Sequence, residues 1–209
     1  AIPRSLNGKA YVAADRLRGS GFGALTLSAE DRIEFARTIN LSGWARSLTL
    51  DTPVIGASGA FDVNLAAPYL ALTNTRYWRQ GAGSPTAGAA TLSVSATQNL
   101  DLSGSINLHG FKTSSFQSGG DIRLIGAASS IDDQNRKGQL ASVGDLHFTA
   151  RQIYPTTLTE FELRVQDNPT GVIKFDRSVR TDGSLVADIP VLSAGGKLIV
   201  QAPTIAQGG

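Results

Sequence analysis

The sequence predicts an all-β fold, a parallel β-helix (solenoid) of about eight rungs with side loops. Short units of about five residues alternate apolar and polar positions, the period-2 signature of a strand with one buried face. The units recur at a mean spacing of about 25 residues, within the range of repeat architectures. Glycine is abundant at 23 residues while charged residues make up only 17%, a balance that suits many tight turns and short buried strands. A β-sandwich fits less well, because its strands come every 8–12 residues and share no motif.

Residues 1–20 mix Pro3, Gly8 and Gly19 with Arg4, Lys9, Arg16 and Arg18. They read as an N-terminal edge segment, a partly ordered end in preference to an entering strand over Tyr11, Val12, Ala13 and Ala14. The repeats occupy 21–209. Their inward positions, taken one from each copy, are Leu25, Leu48, Val63, Leu92, Ile122, Leu146, Ile173 and Leu198. Stacking like residues at about 4.8 Å per rung gives a continuous core and a rod section on the order of 40 Å long. Ala29, Ala67, Ala96, Ala150 and Ala202 are expected at tight corners.

Three stretches break the rhythm. Loops are expected at 75–88, around Arg76-Tyr77-Trp78-Arg79, and at 127–139, around Asp132-Asp133; an extra hairpin lying against the rod is expected over 155–166. Loops thrown out from a rung are where solenoids carry added function.

Composition narrows the function classes. The formal net charge is +2, which gives no support to nucleic-acid binding. Without cysteine there is neither thiol catalysis nor a disulfide scaffold, and export remains open. No cationic start followed by an apolar run marks a signal peptide, and no apolar stretch approaches membrane-spanning length. The missing Met, and the stop at Gln207-Gly208-Gly209 where another rung should begin, predict a piece of a longer rod.

No motif names a reaction. There is no Gly-x-Ser-x-Gly elbow, phosphate loop, Asp-rich calcium nonapeptide or Arg-Gly-Asp tripeptide. His109 and His147 have no partner at metal spacing, so both read as solvated, and neither a metal nor a cofactor is expected. A polysaccharide hydrolase would need two carboxylates about 5–10 Å apart. Asp62, Asp101, Asp121 and Asp145 are outward acids, but Asp121 and Asp145 both follow a glycine in consecutive copies, which reads as a turn preference. Asp132-Asp133 reads as a charged loop tip, and Trp44 as core or turn packing.

The candidate binding site is Arg76, Tyr77, Trp78 and Arg79. Two aromatics between two arginines in a Gly/Pro-rich loop suit a cation–π patch for a glycan or protein. Equally, Trp78 folds back over a rung while both arginines stay in water.

The closing stretch Gly196-Lys197-Leu198-Ile199-Val200-Gln201-Ala202-Pro203-Thr204-Ile205-Ala206-Gln207-Gly208 resembles the repeat of filamentous haemagglutinin-like exoproteins of Gram-negative two-partner secretion. Further copies are Gly144-Asp145-Leu146-His147-Phe148-Thr149-Ala150 and Gly23-Ala24-Leu25-Thr26-Leu27-Ser28-Ala29, and the similarity covers most of 20–209. The resemblance implies a right-handed β-helical rod, secreted and held at the bacterial cell surface. The rod would act as an adhesin or as the stalk for a distal effector, and would not be an enzyme. Its implied partners are a host-cell or bacterial surface protein or glycan, and, for the parent protein, an outer-membrane transporter of the two-partner type. The Asn-Pro-Asn-Leu-type motifs of the family's secretion domain are absent, which places this piece in the interior of a rod and carries no catalytic residue over. The rival readings are a β-helical polysaccharide-active enzyme and the stalk or receptor-binding part of a contact-dependent growth inhibition protein.

Overall fold

A computed structural model describes residues 10–18, 21–43, 45–76, 79, 83–128, 136–179, 182–191 and 193–208. A short helix, α1 (Ala14–Arg18), precedes the strands β1 (Ala24–Ser28), β2 (Ile33–Phe35), β3 (Ile39–Leu41), β4 (Ser47–Asp51) and β5 (Val54–Ala57). Two long strands follow, β6 (Asp62–Asn74) and β7 (Ala90–His109). Then come β8 (Phe111–Ser118), β9 (Asp121–Ile125), β10 (Ala127–Ala128), β11 (Arg136–Ser142), β12 (Asp145–Ala150) and β13 (Gln152–Pro155). The last four are β14 (Thr159–Val165), β15 (Val172–Arg177), β16 (Lys197–Gln201) and β17 (Thr204–Gln207).

The fold is all-β, and its strands pair in parallel along three columns, an arrangement compatible with a β-solenoid. In the first column Leu25 stacks on Leu48, then Leu70, Leu100, Ile122 and Ile153. The third runs Ile39, Val63, Leu92, Ser114, Leu146, Ile173 and Ile205. In the second, β2 pairs with β5, β5 with the end of β7, and then β11, β14 and β16 follow. Leu48, Val63, Leu70, Leu100, Ile122, Leu146 and Ile173 are all essentially inaccessible, so like residues form one apolar core along the stack. Beside the third column Phe116, Phe148 and Phe175 stack face to face, with centroids 5.1 and 5.4 Å apart. Ser114 breaks that column with a buried hydroxyl that has no partner.

The eight inward residues expected to form one series belong to three columns. Leu25, Leu48 and Ile122 lie in the first, Val63, Leu92, Leu146 and Ile173 in the third, and Leu198 in the second. The cause is that β6 and β7 round corners without leaving strand geometry, so β6 serves two columns and β7 all three. β6 passes from the third column to the first at a register shift between Ala67 and Tyr69. The alanine corners divide likewise: Ala67 and Ala96 are stacked and buried at this corner, whereas Ala202 lies between β16 and β17. Where β7 turns from the first column to the second, Gly104 takes a φ of 71°, and a Cβ there would run into the Asn74 carbonyl.

Three further expectations change. Residues 11–13 join no strand, and the edge segment forms α1, a helix not expected from the sequence; Ala14 and Leu17, three apart on one helix face, pack on the core end. Residues 155–166 are not a hairpin against the rod. β13 closes the first column and β14 is a core strand of the second, parallel to β11 and β16, with Phe161 and Leu163 inaccessible. The polar 127–139 stretch is partly strand: β10 pairs antiparallel with the start of β11. Asp132 and Asp133 lie outside the described residues.

Beyond β13 none of the described residues of 178–196 returns to the first column. Leu198 and Ile205, inward by register, are therefore 36% and 54% exposed. A cavity of about 300 Å³ opens beside Ile153, Phe175 and Val200.

Candidate functional site

The 75–88 excursion gives none of its described residues to the second column, where β5 pairs directly with the end of β7. Its base is tied down. Asn107 donates to the Gly83 carbonyl (2.8 Å) and the Gly110 N–H to the Thr86 carbonyl (2.9 Å), and Pro85 is buried.

Arg79 does not stay in water: its side chain is 1% exposed. Nε and Nη2 bond the two Glu30 carboxylate oxygens at 3.1 and 3.2 Å, and Nη1 bonds the Asp51 carboxylate at 2.8 Å and the Asp51 carbonyl at 3.3 Å. Nη2 also donates to Ser28 Oγ at 3.0 Å, so all five guanidinium donors are used. Arg76, more exposed, meets Glu30 at 3.0 Å. Asp51 accepts Ser28 Oγ and Thr73 Oγ1 as well. The Arg79 hydrogen bond holds Glu30 below its ordinary range. Burial pushes Asp51 up, but bonds from Ser28 and Arg79 outweigh it and leave it low. Arg79 thus fastens the excursion to the ends of β1 and β4. Tyr77, Trp78 and Trp44 lie outside the described residues.

The four outward acids fall on two faces. Asp62 and Asp145 belong to the third column, in register through Thr91 and Thr113 and three strand steps apart. Asp101 and Asp121 belong to the first. Asp121 and Asp145 therefore do not hold equivalent places. Each opens a strand after a glycine, but β9 and β12 run on different faces. His109 is not solvated: it is 8% exposed, its Nε2 lacks a partner, and burial followed by the nearby charge of Arg32 lowers its pKa. His147 faces outward in β12, between Ser115 and Lys174. Among the described residues no group of three or more His, Asp or Glu side chains is placed to hold a metal, and no helix is long and apolar enough to cross a membrane.

The outer surface of the first column carries a site that strand-by-strand reading misses. Two adjacent outward rows cross the stack, one through Tyr69, Asn99, Asp121 and Gln152, the other through Ala71, Asp101, Arg123 and Tyr154. Tyr69 donates its phenol to Asp101 at 2.7 Å, and Arg123 grips the same carboxylate with two bonds of 2.7 Å. One strand further on, Arg151 bonds Asp121 at 2.9 Å, Tyr154 donates to it at 3.2 Å, and the Asp121 N–H bonds Asn99 Oδ1 at 3.1 Å. Burial and then the Asp101 carboxylate push the Tyr69 phenol up to about 12. Burial and the charge of Asp121 raise Tyr154. Both carboxylates are buried beneath these partners. The partners lie 22 to 33 residues apart in sequence, and the register of the columns is the signal that brings them together.

No family model, curated protein or solved structure matches the chain.

Proposed function

We propose that this chain is a non-enzymatic segment of a secreted bacterial surface adhesin of the filamentous haemagglutinin-like kind, working as a β-helical shaft that binds surface ligands through its sides. In this reading the three columns are the faces of a right-handed coil, and the third column, with seven strands, approaches the eight or so rungs that the repeat spacing predicts. The observation that carries the reading is the in-register stacking of the columns. It gives a shaft built of nearest-neighbour contacts, whose outward residues are spared from the core and left for recognition. Asp101 and Asp121, which share a face, are each taken up by an arginine and a tyrosine, and Asp62 and Asp145 lie on another face, which favours the shaft over the polysaccharide hydrolase. The parent protein would leave the cell through an outer-membrane transporter of the two-partner type and present this segment at the surface.

The reading is tested with the labelled chain on epithelial cells and on bacterial cells. Saturable, protease-sensitive binding supports it, and no binding to either overturns it. Tyr77→Ala with Trp78→Ala decides whether the 75–88 excursion is the contact.

A further inference from the structure

We propose that the outer face of the first column, between Tyr69 and Tyr154, is a binding site for an uncharged, hydroxyl-rich polysaccharide. This deepens the adhesin reading and rests on it.

The face is preorganised. Its carboxylates are each fixed by an arginine and a tyrosine, and its planar side chains lie in two adjacent rows with their rotamers held by hydrogen bonds. A ligand meeting such a surface does not bear the entropy of ordering it. The tyrosines add rigid rings whose apolar faces suit the C–H face of a sugar, with the hydroxyls engaged below.

Charge selects the ligand class. Asp101 is matched by Arg123 and Asp121 by Arg151, so the two acids and two bases cancel within the patch. An anionic polysaccharide would find no uncompensated cation there, and a basic peptide no free carboxylate. Hydroxyl groups, which donate and accept at once, suit what the network leaves open. Asn99, half-buried in the outward row that also holds Gln152, uses its Oδ1 on the Asp121 N–H and keeps its amide N–H groups for a ligand hydroxyl. Shape follows from the register. The rows cross four strands, a span of about 14 Å at the inter-strand spacing, which suits an extended chain lying along the stack.

The test is affinity electrophoresis of the whole chain through gels containing galactomannan, mixed-linkage β-glucan, heparin or polygalacturonate. Retardation by a neutral polysaccharide is expected, weakened on the order of tenfold in Asn99→Ala/Gln152→Ala and in Tyr154→Ala. Ser93→Ala/Thr149→Ala, on the third column's outer face, should leave it unchanged, and matching melting temperatures establish that the variants are folded. The inference is overturned if no neutral polysaccharide retards the chain, if heparin or polygalacturonate retards it more, or if third-face variants weaken retardation equally. Cell binding separates the two readings. If cells bind wild type and Asn99→Ala/Gln152→Ala alike while neutral polysaccharides are ignored, this face falls and the adhesin reading stands. A chain that binds neither cells nor polysaccharide sinks both.

Discussion

The Arg79 guanidinium, carried on the excursion after β6, lies 2.8 Å from the Asp51 carboxylate at the end of β4 and reaches past it to Glu30 beyond β1. One side chain thus links the ends of β1 and β4, neighbours in the first column, to the excursion that follows β6, the next strand of that column. Removing it leaves Asp51 beside two hydroxyls with no close countercharge but the more distant Arg76, at 3.9 Å. Arg79→Ala is expected to destabilise the chain by about 3 kcal/mol, the range for breaking one partner out of a buried pair. Arg79→Lys should recover little, since one ammonium cannot span five acceptors. Arg76→Ala, at an exposed pair, should cost about 0.5 kcal/mol. Guanidinium denaturation followed by circular dichroism measures all three, and an Arg79→Ala midpoint equal to wild type would remove the staple.

The same cluster sets acid sensitivity. Glu30 and Asp51 titrate below their ordinary values of 4.5 and 3.8 in the folded chain. The unfolded chain therefore takes up protons first as pH falls, and the stabilisation is whole above about pH 4.5 and lost as pH drops through the lowered folded values. Denaturation midpoints compared between about pH 6 and pH 3 should decline more steeply in wild type than in Arg79→Ala. Parallel profiles would show that the carboxylates titrate independently of Arg79.

Tyr69 gives the opposite sign at the alkaline end. Its folded pKa is raised from 10 to about 12, chiefly by burial and then by Asp101, so its contribution is present below pH 10 and lost as pH climbs through that raised value. In Tyr69→Phe the late part of the phenolate absorbance titration should shrink. It should not vanish, because Tyr154 is raised as well. The variant should lose about 1 kcal/mol, a hydrogen bond to a charged acceptor at a half-buried site. An unchanged ultraviolet titration would mean that Tyr69 is not the late group.

Alternation along Leu48 and Leu50, or Leu92 and Val94, makes the strands legible from sequence, because a strand's period needs only its own residues. Which strand lies on which is not legible in the same way. Leu48 stacks on Leu70 and Val63 on Leu92, yet the copies resemble one another whatever their column, and the intervals from Leu25 to Ile153 within the first column vary from 22 to 31 residues. The candidate sites inherit that gap. Arg79 finds Glu30 49 residues upstream, and Tyr69 finds Asp101 32 residues downstream. His109 reads as solvated because it follows Leu108 at a glycine turn, yet it ends a strand that pairs with β5, opposite Gly56 and close to Arg32, both of them more than 50 residues away in sequence.

Phe148 tests whether the third column works as a continuous stack. It is fully buried and touches a ring on each side, Phe116 before it and Phe175 after it. Phe148→Ala opens a void that neither neighbour can fill, since each ring is fixed in register by its own strand. A loss of about 4 kcal/mol is expected, near the middle of the range for a buried Phe→Ala. Phe175→Ala should cost less: Phe175 is only partly buried and has Gln207, not a ring, on its far side. The ordering is the informative part. In a stack held by nearest-neighbour contacts an interior ring loses two stacking partners and an end ring loses one, so equal midpoints for the two variants in chemical denaturation would mean that the rings act as separate packing sites and not as a ladder.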